Sequence, residues 1–69
     1  MHPMELKLKH NLSYSLMAEW FAVEELAVRR WGFREGAKGK RNPPVVACRL
    51  AKAIDTLLLM GVNIEDIKF

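Results

Sequence analysis

The sequence predicts a small α+β fold: an N-terminal strand, two amphipathic helices in a hairpin, and a short C-terminal strand or helical turn. An all-α helical hairpin is the alternative. Three observations carry this expectation. The segment "MELKLKH" alternates apolar and polar residues, two longer stretches repeat their apolar residues at helical spacing, and a glycine-rich basic segment separates those stretches.

At 69 residues the chain has room for one domain, 1–69. A chain of this size buries only about 60% of its unfolded surface, so small scaffolds gain from disulfides, a metal or self-association. Cys48 is the only cysteine, which excludes a disulfide within the chain; a lone thiol fits a reducing compartment. His2, His10 and Cys48 show none of the short paired spacings of zinc sites, so neither metal nor cofactor is expected. Self-association remains, and a 51% hydrophobic composition supplies surface for it. The N-terminal "MHPMELKLKHN" is charged throughout, unlike a signal peptide. The longest charge-free apolar run, "TLLLMGVNI", is nine residues, against about 20 for a membrane span. A soluble, cytoplasmic protein is the expectation.

In "MELKLKH", Leu6 and Leu8 point one way and Glu5, Lys7 and Lys9 the other, as in a half-exposed strand. Asn11 or Ser13 then offers a helix N-cap. From Ser13 to Trp31, residues Leu16, Met17, Trp20, Phe21, Val23, Ala27, Val28 and Trp31 gather on one face of a single helix. Gly32 stops it, with Arg29 and Arg30 in the last turn where cations suit the dipole. Glu25 stands four residues before Arg29, the favourable order for a helix ion pair. A flexible basic loop, 32–42, follows. "NPPVV" restarts a helix from about Pro44 to Met60, with Val46, Leu50, Ala53, Ile54, Leu57 and Leu58 inward and Gly61 ending it. In the tail, Val62 and Ile64, then Ile67 and Phe69, are spaced by two, which suits a strand pairing with the first; Asn63 before Glu65 and Asp66 suits a short helix instead.

Charge is segregated. Arg29, Arg30, Arg34, Lys38, Lys40 and Arg41 face only Glu35 between positions 29 and 41, a net of +5 (six minus one), while the rest of the chain carries −2 (five minus seven). Glycines and lysines together point to phosphate, because backbone N–H groups approach an anion closely there. The P-loop spacing fails, since Ala37 or Arg41 stands where its second glycine belongs. The remaining reading is contact with a polyanion backbone through Arg34, Lys38, Lys40 and Arg41, extended by Arg49. The order strand–helix–helix is similar to that of ribbon–helix–helix proteins. That resemblance implies Glu5, Lys7 and Lys9 facing outward from a strand, but the ten or so residues between the helices exceed the usual connection.

Glu24 has only apolar residues three and four positions away, which places it in the core, paired with Lys52 or Arg49, or at an interface edge. Trp31 and Phe33 flank the basic segment in "RRWGFR", a mixture suited to stacking on bases. No nucleophile–base set accompanies Glu24, Cys48 or the histidines, and no enzyme is expected. Two functions follow. One is a small nucleic-acid-binding protein, DNA or RNA, using the basic loop. The other is a protein-interaction module (adaptor, inhibitor or small subunit) meeting an acidic protein surface or another partner through Met17, Trp20, Phe21 and Trp31, and a homodimer burying Met17, Trp20 or Phe21 is expected in either case.

Overall fold

The computed structural model describes residues 1–66. Its elements are helices α1 (Pro3–His10), α2 (Tyr14–Phe21), α3 (Glu25–Trp31) and α4 (Val45–Leu59), followed by a 3₁₀ turn at Ile64–Asp66. No strand occurs among the described residues, so the α+β expectation is overturned and the all-helical alternative fits. The similarity in order to ribbon–helix–helix proteins falls with the strand.

Segment 3–10 is a helix because its ends are specified. Pro3 occupies the first helical position, where its missing N–H costs nothing. His2 is the N-cap: its Nδ1 accepts a hydrogen bond from the Met4 N–H at 3.0 Å. Glu5 lies in the first turn, with Lys7, Lys9 and His10 in the last. The alternation of Leu6 and Leu8 misleads because only Leu6 is buried, together with Pro3 one turn away, while Leu8 is 80% exposed.

The single long helix expected from Ser13 to Trp31 is two helices. Ser13 caps the first, its Oγ accepting from the Leu16 N–H at 3.0 Å. Ala22 then turns left-handed, φ 54°, and the Val23 N–H reaches the Ala18 carbonyl at 3.1 Å. This is the Schellman arrangement, in which a left-handed residue lets two orphan carbonyls be satisfied. It recurs after α1 (Asn11, with Leu12 N–H to Lys7 O at 2.9 Å) and after α4 (Gly61, with Val62 N–H to Leu57 O at 3.0 Å). Asparagine and glycine are the usual residues there; alanine is not, which is why the break left no mark in the sequence. Glu24, expected in the core or at an interface edge, is instead the exposed N-cap residue of α3.

α4 matches its expected span within a residue, but its inner face is rotated. Ala47, Ala51, Ile54 and Asp55 are buried, with Leu50, Leu57 and Leu58 half-buried, whereas Val46 is 72% exposed and Ala53 is exposed. α1 packs against α4, and Asp55 is drawn inward by His10 and Lys9 on α1. One core joins the elements: Leu6, Met17, Phe21, Val28, Trp31, Ala47, Ala51, Ile54 and Ile64. α2 folds back on α3, and the 3₁₀ turn closes over α4. In that turn the Asn63 Oδ1 accepts from the Glu65 N–H at 3.1 Å, so Asn63 initiates a helical turn and the strand expected there is absent. Ile67 and Phe69, expected to continue its alternation, lie outside the described residues. No described helix is long and apolar enough to cross a membrane.

Candidate functional site

The basic segment is built from the end of α3 outward. Gly32 N–H and Phe33 N–H bond the Arg29 and Arg30 carbonyls at 3.0 and 3.2 Å, closing the helix. Two β-turns follow in series. Ala37 N–H donates to Arg34 O and Lys40 N–H to Ala37 O, both at 3.1 Å. Gly36 (φ 82°) and Gly39 (φ 87°) occupy their third positions, while Glu35 and Lys38 keep negative φ, which defines type II turns and requires glycine. The Arg41 N–H then returns to the Arg30 carbonyl at 3.3 Å. Residues 32–42 therefore carry hydrogen-bonded turns clipped to α3.

Lys40 completes the clip. Its Nζ donates to the Trp31 carbonyl at 3.0 Å and lies 3.9 Å from Glu35 Oε1, with the side chain only 16% exposed. A cation on the last carbonyls of a helix suits both their unsatisfied acceptors and the dipole. Of the five cations assigned to phosphate by sequence, Lys40 thus has a structural task. Arg34, Lys38, Arg41 and Arg49 are exposed and form no ion pair among the described residues. Glu25 takes Arg29 at 2.7 Å, as the spacing implied, and Arg29 also lies over the Tyr14 ring, 4.5 Å from its centroid.

Between α3 and the loop is a cleft of about 230 Å³ lined by Glu24, Leu26, Ala27, Arg30, Trp31 and Arg41. Leu26, Ala27 and Arg30 share one face of α3 through three- and four-residue spacing, and Arg41, tied to the Arg30 carbonyl, contributes from the loop. Arg49, on α4, does not line it. Sequence reasoning assigned Arg30 only to the helix end. The missed signal is that no acid stands three or four residues from Arg30 on its own helix, whereas Arg29 has Glu25.

The residues expected at a dimer or partner interface are mostly spent inside the chain. Met17, Phe21 and Trp31 are core, with the Phe21 and Trp31 rings edge to face at 5.9 Å; Trp20 is half-buried against the same core. Between α1 and α4, Asp55 accepts from His10 Nε2 at 2.7 Å and pairs with Lys9 Nζ at 3.0 Å. Ser13, three residues after His10, uses its hydroxyl as a helix cap, and the His–Asp pair is a tie between α1 and α4. No group of three metal-binding side chains is assembled among the described residues. Comparison with protein-family models, curated proteins and solved structures finds no match for the chain.

Proposed function

We propose that the chain binds nucleic acid by setting its basic turns against the phosphate backbone. One observation carries this reading: Arg34, Lys38 and Arg41 are exposed, with no acidic partner among the described residues, on a loop whose path is held by its own hydrogen bonds. Cations that neutralise no internal charge are available to an external anion, and a loop already ordered loses less entropy on binding. Arg30, at the cleft, adds a fourth guanidinium or ammonium to the set.

The test is fluorescence anisotropy with mixed-sequence duplex DNA and single-stranded RNA at low and near-physiological salt. Three to four phosphate contacts give a log–log salt slope of about −3 on a duplex. Replacing Arg34, Lys38 and Arg41 together by Ser, with Lys40 left to hold the helix end, abolishes binding and leaves helical circular dichroism unchanged. Absence of binding at low salt removes the proposal. A second reading, a protein-interaction or self-associating module, is favoured by a different observation: Leu8, Val45, Val46, Leu59 and Met60 are each at least 65% exposed. An interface on those residues changes little with salt, and loss of the three loop cations leaves it intact.

A further inference from the structure

The cleft beside the loop combines two chemistries that a phosphate-only contact does not use. Part of its lining is apolar: Leu26 is 51% exposed, Ala27 half-buried and Trp31 5% exposed. Arg30 and Arg41 line it too, neither in an ion pair among the described residues. Glu24 also lines it yet pairs with neither arginine. A carboxylate there repels phosphate and accepts N–H groups.

We infer that this cleft seats one unstacked base of a single-stranded nucleic acid, with the adjoining phosphate on Arg30 and Arg41. The inference rests on the phosphate-binding reading above and specifies its substrate. The size fits one ring system: at about 230 Å³ the cleft is below the range of about 300–1,000 Å³ that holds drug-sized ligands. The chemistry fits because a base offers a flat apolar face to Leu26 and to a guanidinium plane, while its edge offers N–H donors to Glu24. Base pairing and stacking hide that face, so a duplex presents only phosphates to the same surface. The arginines sit within reach of both parts of a nucleotide, since Arg30 projects from the cleft-side face of α3 and Arg41 continues the basic turns. Trp31 is too buried to serve as the stacking platform.

The experiment compares, on the unaltered protein and at one salt concentration, a single-stranded oligonucleotide, an abasic strand of equal length, and a duplex of the same sequence, using DNA and RNA versions of the single strand. Base–side-chain contact in one cleft gives the base-bearing strand roughly tenfold tighter binding than the abasic strand. It also quenches tryptophan emission, which the abasic strand does not. Leu26→Ser, at an exposed position, erases the difference while leaving the salt slope unchanged. Equal binding of the base-bearing and abasic strands overturns the base-seating inference and leaves phosphate contact standing. Duplex binding tighter than single-strand binding, with no effect of Leu26→Ser, does the same. Failure of every strand to bind at low salt overturns both readings.

Discussion

Asp55 accepts a hydrogen bond from His10 Nε2 at 2.7 Å, across a sequence separation of 45 residues. An ionised carboxylate only accepts, so the imidazole donates, and Lys9 supplies a second donor at 3.0 Å. This polar cross-tie makes α1 lie along α4 and explains why an acidic residue occupies a buried position on α4.

The tie is acid-sensitive. The His10 hydrogen bond first, then that of Lys9, holds the Asp55 carboxyl below its ordinary 3.8, against burial, which raises it. A depressed carboxylate contributes stability that is present above 3.8 and lost as pH falls through the folded value. Asp55→Asn therefore lowers the melting temperature at neutral pH, and the gap to the parent closes in strong acid. Thermal melts of both chains across pH measure it; a gap that stays constant counts against the tie.

His2 responds at higher pH. Burial, then the nearby charge of Lys40, lowers its pKa below 6.5, opposed by Glu5 and helped by the N-terminal amine. Protonation removes the lone pair that receives the Met4 N–H, so the cap is intact above 6.5 and lost as pH falls through the lowered folded value. His2→Asn keeps an N-cap acceptor without this titration. His2→Ala costs about 1 kcal/mol above pH 6.5, and denaturant titrations at two pH values separate the three chains.

Leu6 and Leu8 distinguish helix from strand by stability alone. Leu6→Ala leaves a hole in the core and costs about 2–5 kcal/mol, enough to unfold most of a chain this small. Leu8→Ala, at an exposed position, changes stability by less than about 0.5 kcal/mol. Comparable losses for both would restore the strand.

Ala22→Gly is expected to stabilise. A left-handed alanine costs about 1–2 kcal/mol, partly offset by the greater freedom glycine gives the unfolded chain. Ala22 is exposed, so no packing is lost. A net gain of about 0.5–1 kcal/mol in a urea titration is the outcome; a loss would place Ala22 elsewhere in φ.

Much of the architecture was legible in residues whose local preferences agree with their surroundings. Pro44 and Gly61 bracket α4, Ser13 starts α2, and Gly32 stops α3. Where a pattern has two meanings the alternation of Leu6 and Leu8 misleads: Pro3 and Glu5 are helix-start signals, and Asn11, expected as an N-cap candidate, is the C-cap of α1. The break at Ala22 follows from folding α3 back onto α2, a tertiary demand that alanine does not announce. The basic segment was visible as charge, but not its internal division. Which lysine holds the helix end depends on the path of two turns, and that path places Lys40, not Lys38, against Trp31.

The three N-terminal helices have eight, eight and seven residues, well below the 12–15 or so at which an isolated helix persists in water. Each therefore owes its existence to the others and to α4. α1 packs mainly on α4 and α2 on α3, but one buried core joins all four, so opening that core is a collective event. Backbone amides in α1, α2 and α3 should show one common free energy of opening in deuterium exchange, that of global unfolding, with no helix melting ahead of the rest.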